Sequence, residues 1–421
     1  MKRMMRSLCL SVGLLFSSGA LAETVSLSPA VLQQLNRAQQ AMAEENYVKA
    51  AEVLQKLSQQ KLSKSAEAYT LQFRGNLALI RQQEKTALGH FVKAYALDAL
   101  SKPDQRRLLH TVAQLQLGQE QWREGVQSLE QWMQQVRTAN NKAESIRAED
   151  YLLLAQGYSQ LGQWARVVTP VKTAIRMKGD APEDWHRLQL AAHFELKQWK
   201  GATSVLELLV NRYPQKAQYW EQLTSVYQIR DRHADALATL RAAWLADKFS
   251  EERHYTWLAQ LMLQQGLPQR AAELLDQALA QQQIERTLKH ERLLAQTQLQ
   301  AKLYDAGRAT LERIAQRKPD YTTWRQLAYL DMQLKHWDAM QRSIKQAVAL
   351  KPDAAELYLL GGIAEVNRSN YAEARASFIK ASEHDATRAQ AQNWLNYLDQ
   401  VALDQVTLDQ ATRQEAVVGR S

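Results

Sequence analysis

A loose pattern about 34 residues long recurs roughly ten times along this chain of 421 residues and leaves almost no stretch free for anything else. A unit of that length cannot bury an apolar face by itself, so each must stack on its neighbours. The expected fold is all-α, a row of helix pairs. Length alone would imply about three globular domains, and the repeat overrides that expectation.

The pattern is clearest in the middle. Trp220, Leu223, Thr224 and Tyr227 have the spacing of one helix, and Ala236 and Leu240 that of its partner. Tyr151, Leu154, Ala155 and Tyr158 repeat the first half, with Trp164 near the start of the second. Tyr255, Leu258, Ala259 and Met262 lead to Ala271 and Leu275. Trp324, Leu327 and Ala328 lead to Trp337, Ile344 and Ala347, and Tyr358 and Gly362 lead to Tyr371, Ala374 and Phe378. Small residues at fixed positions let two helices approach where they cross. A bulky side chain at Ala236 or Ala374 should overpack that crossing and cost about 1 to 3 kcal/mol.

These residues carry a resemblance to the tetratricopeptide repeat, over roughly residues 31 to 386. The resemblance implies a right-handed superhelical α-solenoid of about ten helix pairs with a C-terminal capping helix. It also implies that the first helix of each pair lines a concave surface. One solenoid is expected over residues 23–401. Residues 137–147 form too long a connection for a standard turn and are expected to be an extended helix or a loop. Residues 387–400 read as the cap, with Trp394, Leu395, Tyr397, Leu398 and Val401 on its apolar side. Residues 402–421 are polar and read as a disordered tail.

The first 22 residues have a different character. Lys2, Arg3 and Arg6 precede an apolar run from Leu8 to Phe16, and Ala20, Leu21 and Ala22 form a small-x-small site, the pattern of a cleavable export signal. No cysteine follows that site, so a lipoprotein is not expected. The expected location is the periplasm of a Gram-negative cell, peripheral to the inner membrane at most. Cys9, the only cysteine, lies in the segment to be removed, which excludes disulfides and a thiol nucleophile from the mature chain. Formal net charge is +9 and falls to +6 without Lys2, Arg3 and Arg6. Spread over so long a chain with no nucleic-acid-binding motif, that charge does not indicate nucleic acid.

Catalytic motifs are missing as well. There is no G-x-S-x-G elbow, P-loop or dinucleotide fingerprint, and no H-E-x-x-H or Cys/His cluster. His186 and His193 stand two helical turns apart, too far to share a metal. The sequence therefore assigns no catalytic, cofactor-binding or metal-binding residue, and the chain reads as no enzyme. Trp122, Trp164, Trp199 and Trp337 share one repeat position, and Trp220 and Trp324 share another, so these read as packing residues; Trp132, Trp244 and Trp257 fall off the pattern.

What remains is the face of the first helices. The resemblance carries its exposed positions onto Arg187, Glu221, Arg253, Lys289, Arg292, Arg325 and Tyr329. This basic set with one aromatic would suit an acidic or C-terminal carboxylate segment held by arginines, or it is a set of ordinary solvated charges. Met332, Leu359, Ile363 and Val366 continue the face as apolar residues, either a pocket or a surface covered by the cap and its neighbours.

A finer resemblance rests on the export signal, the cysteine-free mature chain, the opening Leu35-Asn36-Arg37-Ala38-Gln39 and repeats to the end. In this layout the chain is similar to periplasmic repeat proteins associated with the TonB–ExbB–ExbD energy-transduction systems of gammaproteobacteria. It implies a non-catalytic scaffold that binds TonB, ExbB or ExbD and assists uptake, such as that of iron-siderophore or haem. The alternatives are a general envelope scaffold for secretion, polysaccharide export or cell-wall assembly, and a glycan-acting enzyme, for which the sequence supplies no pair of residues.

Overall fold

The structure, a computed structural model, describes residues 27–139, 145–249 and 251–418, with the side chains of 405 and 408–418 outside that description. Among the described residues there are 21 helices and no strand. The first ten are α1 (Pro29–Ala43), α2 (Tyr47–Ser58), α3 (Lys64–Ile80), α4 (Glu84–Ala96), α5 (Lys102–Gly118), α6 (Trp122–Ala139), α7 (Ala148–Gln160), α8 (Trp164–Lys178), α9 (Glu183–Glu195) and α10 (Trp199–Arg212). They are followed by α11 (Ala217–Ile229), α12 (His233–Leu245), α13 (Glu252–Gln264), α14 (Pro268–Ala280), α15 (Leu288–Gln300), α16 (Tyr304–Arg317), α17 (Tyr321–Gln333), α18 (Trp337–Leu350), α19 (Ala355–Asn367), α20 (Tyr371–Ser382) and α21 (Asp385–Val418). The chain divides into two compact units at Pro214. The first holds five helix pairs, and the second holds five more and the final helix.

Most pairs close in the same way. A small residue of the first helix meets a large one sixteen residues later on the second: Ala38 with Leu54, Gly75 with Phe91, Ala113 with Leu129, Ala259 with Leu275, Gly362 with Phe378. All ten of these side chains or backbone sites are buried. The exception is α9 and α10, where Leu190 and Leu206 take these positions. Size is compensated within the pair, glycine facing phenylalanine and alanine facing leucine, which keeps the crossing filled without overpacking. Ala236 and Ala374 are fully buried, as the spacing predicts. Each second helix also packs on the next first helix within its unit, so the apolar contact is continuous along the stack.

The turns inside the pairs share one backbone shape. Glu45, Gln82, Glu120, Gly162, Lys197, Asp231, Gly266, Lys302, Lys335 and Ser369 all have positive φ. The amide of the next residue then returns to a carbonyl five residues back, as Gln83 N–H does to Ala78 at 2.8 Å and His336 N–H to Asp331 at 2.8 Å. This is the Schellman closure, which satisfies carbonyls left over at a helix end.

Two features of the sequence reading take on a different form. Second helix α6 runs on to Ala139 and α7 begins at Ala148, where Asp150 accepts a 2.9 Å hydrogen bond from the Arg147 backbone N–H; the centre of the expected irregularity, 140–144, lies outside the described residues, as does the export signal at 1–22. At the other end the cap does not stop near Val401. The backbone expected as a tail from 402 is helical through Val418, in a stretch that has neither glycine nor proline and contains several Ala, Leu and Gln residues.

The start of α21 covers the last pair. Trp394 stacks on Phe378 with ring centroids 5.5 Å apart, and Leu398 is buried in the same cluster. Leu359, Ile363 and Val366 pack there too, so these apolar positions are covered rather than open. None of the eleven tryptophans is exposed, Trp132, Trp244 and Trp257 included. Packing accounts for all of them.

Candidate functional site

The seven predicted residues all lie on first helices. Arg187 is on α9 in the first unit, where it faces Asp184 at 3.5 Å. The other six are in the second unit: Glu221 on α11, Arg253 on α13, Lys289 and Arg292 on α15, Arg325 and Tyr329 on α17. They are brought to one side of successive helices, but they are not an open basic set.

Most of the cations already hold a carboxylate from a neighbouring repeat. Glu221 accepts from Arg253 Nη2 at 2.7 Å and contacts His254 Nε2 at 2.9 Å, which ties α11 to α13, while Glu251 takes the other edge of Arg253 at 2.7 Å. Arg292 on α15 reaches Asp320, the N-cap of α17, at 3.4 Å. Arg325 on α17 binds Glu356 on α19 at 2.6 Å, and its guanidinium lies 5.4 Å from the Tyr329 ring centre. Tyr321 and Tyr329 donate to the same carboxylate at 2.8 and 3.2 Å. Of the predicted cations, Lys289 is exposed with no ion pair among the described residues.

Electrostatics follow from these contacts. Burial raises Glu356 and Asp320, but the hydrogen bonds and arginines around them win and hold both carboxyls below the usual range. The Tyr321 phenol, partly desolvated and donating to Glu356, is pushed up to about 12. The face is thus a ladder of alternating charges fixed at the spacing of the repeats. A comparable tie in the first unit joins α5 to α7, where His110 Nε2 lies 2.7 Å from the buried Asp150 and its ring stacks on Trp132 at 3.8 Å.

Sequence reasoning missed a second set, buried behind that face. Asp331 is fully buried and receives Arg308 from the preceding second helix and Ser343 Oγ at 3.2 Å from its own. Glu291, also buried, is ringed by Arg286, Arg313 and Arg317 at 3.4 to 3.7 Å. Gln298 takes the same repeat position as Asp331 and accepts from Thr310 at 2.9 Å. The available signal was a polar residue where Tyr158 and Tyr227 stand in other repeats. Buried and fully partnered, these groups clasp helices together and offer nothing to a ligand. His186 and His193 are buried on α9, and burial pushes both below the usual histidine value. No cluster of three potential metal ligands occurs among the described residues.

No protein-family model matches the chain, and no curated protein matches it. Solved structures of similar form include a tetratricopeptide repeat protein from Parabacteroides merdae, 15% identical over 60% of this chain and 98% of that one, with a TM-score of 0.32. MamA AMB-1 is 23% identical over 40% of this chain and 92% of its own, with a TM-score of 0.34. The APC/C hetero-tetramer Cut9–Hcn1 covers 87% of this chain and 84% of its own at 13% identity and a TM-score of 0.27. At such scores the functional reading rests on the residues of this chain.

Proposed function

We propose that this chain is a non-catalytic scaffold that holds a partner protein in the periplasm as an accessory of a TonB-dependent uptake system, by contact with TonB, ExbB or ExbD. The observation that carries the scaffold reading is the ladder itself: half-buried and exposed side chains of both signs, held at fixed spacing on and at the starts of successive first helices of the second unit. Such a surface meets a partner along its length. The TonB assignment is supported by the resemblance in layout, with its export signal and cysteine-free mature chain.

The pairing also narrows the partner. A purely acidic segment would have to displace Glu251, Asp320 and Glu356 from their arginines. A segment carrying both lysine and glutamate exchanges pairs instead, its lysine replacing an arginine at Glu356 and its glutamate a carboxylate at Arg325. Proline-rich periplasmic segments of the TonB type, extended and containing Lys and Glu, have that character. The test is photo-crosslinking in the periplasm from residue 292. Capture of TonB, ExbB or ExbD, with loss of growth on chelated iron in a deletion strain, is expected. Capture of other envelope proteins with normal iron uptake transfers the scaffold to secretion, polysaccharide export or cell-wall assembly, and capture of abundant bystanders alone overturns it.

A further inference from the structure

Three arginines converge on one carboxylate in the pair α15 and α16. Arg286, in the loop before α15, brings Nη1 to 3.7 Å from Glu291 Oε1, and Arg313 on α16 brings Nε to 3.6 Å from the same oxygen. Arg317, one turn further along α16, brings Nη1 to 3.4 Å from Oε2. The Glu291 side chain is 2% exposed, whereas those of the arginines are 45%, 47% and 52% exposed. The carboxylate is thus out of a ligand's reach, while the outer edges of the guanidinium groups stand in solvent. One negative charge is set against three positive ones. Glu285, beside Arg286 in sequence, makes no ion pair among the described residues, and the exposed Lys318 at the end of α16 makes none either.

Other bonds hold two of the arginines in place. Arg317 Nη1 donates to the Arg286 carbonyl at 2.7 Å, and Arg313 Nη2 donates to Thr310 Oγ1 at 3.0 Å. Side chains fixed in this way have little freedom left to lose on binding. Their remaining donors are open: Nε and Nη2 of Arg286, Nη1 of Arg313, and Nε and Nη2 of Arg317 have no hydrogen-bond partner among the described residues. The ion pairs to Glu291 are also looser than those of the ladder, where Arg325 meets Glu356 at 2.6 Å and Arg253 meets Glu221 at 2.7 Å. Like charges gathered around one point repel, so a second anion on the outer side lowers the energy of the arrangement.

Guanidinium groups bind oxyanions through paired N–H donors. A phosphate monoester has three free oxygens and a charge of about −1.5 to −2, so it meets more than one guanidinium at once and offsets more of the excess than a carboxylate does. We propose that Arg286, Arg313 and Arg317 form a phosphate-binding site, taking a phosphate monoester group on their outward edges while Glu291 holds their inner edges. The group comes from a soluble phosphate ester or from a phospholipid headgroup. None of the three arginines belongs to the ladder, so the site stands apart from the partner proposed for that face.

Isothermal titration calorimetry of the full chain with inorganic phosphate and with glycerol phosphate, at constant ionic strength in chloride, reads the soluble group. Sedimentation with phosphatidylcholine vesicles carrying phosphatidic acid, against vesicles carrying equal charge as phosphatidylserine, reads the headgroup. Saturable binding in at least one arm is expected, with a dissociation constant of about 1 mM or tighter for the soluble group, and the arm that binds identifies the source. R286Q/R313Q leaves Glu291 paired with Arg317 and should bind at least about tenfold more weakly, with an unchanged melting curve. Should that variant unfold, Arg286→Gln alone, whose side chain makes only the 3.7 Å contact among the described residues, should lose about threefold or more. Absence of binding in both arms, no soluble binding together with equal sedimentation by the two kinds of vesicle, or equal binding by a folded variant overturns the site. Crosslinking from residue 292 reads the ladder, so its failure with phosphate binding intact removes the proposed partner and leaves this site standing.

Discussion

Gly362 and Phe378 interlock so closely that a methyl group added at Gly362 would stand 2.3 Å from the ring's Cε1. Gly75 and Phe91 repeat the relation at the same distance. Both phenylalanines are buried, and most other pairs place a small residue on one side and an aliphatic one on the other.

Gly362→Ala should therefore destabilise the second unit by about 1 to 3 kcal/mol through overpacking. Adding Phe378→Leu recreates the Ala–Leu combination of Ala259 and Leu275. In urea unfolding the double variant should recover part of the loss, giving a favourable coupling in the double-mutant cycle; additive losses would mean the two sites do not share the crossing.

Acid stability should report on Asp150. Burial alone would raise its carboxyl, but the bond to His110 and the backbone and charge of Arg147 outweigh burial and hold it below the usual value of 3.8. A carboxyl depressed in the folded state contributes stability that is complete above its unfolded value and is lost as pH falls through the folded one. Melting temperature should thus fall as pH drops below about 4, and Asp150→Asn should blunt that fall while costing about 1 to 3 kcal/mol at neutral pH.

The turns offer a gain. Lys335 holds φ of 59°, a left-handed conformation that costs a residue with a side chain about 1 kcal/mol relative to glycine. Lys335→Gly should raise stability by roughly 0.5 to 1 kcal/mol in chemical unfolding, since the side chain is exposed.

The cap and its extension should separate cleanly. Leu398→Ala removes a buried side chain from the cluster around Phe378 and should cost about 2 to 4 kcal/mol. Leu403 and Val406 are exposed beyond it. Removing residues 402–421 should leave thermal unfolding of the second unit within about 0.5 kcal/mol of the full chain.

The helix pairs were legible because packing repeats: the small position recurs as Ala155, Ala259 and Ala328, and one residue type at one spacing is a local signal. Tryptophans were legible for the same reason. The partners of the charged face were not. Arg325 could be placed from its own repeat, but Glu356 lies in the next, and nothing local marks that the two side chains meet. Asp331 and Glu291 were hidden differently, since a buried charge is recognised by the arginines that reach it from other helices.

The ten inner turns keep one backbone form although six different kinds of residue occupy the left-handed position. A chain opened at one such turn and rejoined at the next would lose a whole repeat and meet the same geometry at the splice. Gene-level duplication or deletion can therefore change how many repeats this chain has without inventing a junction, and the length of its binding faces is the property most open to variation between descendants.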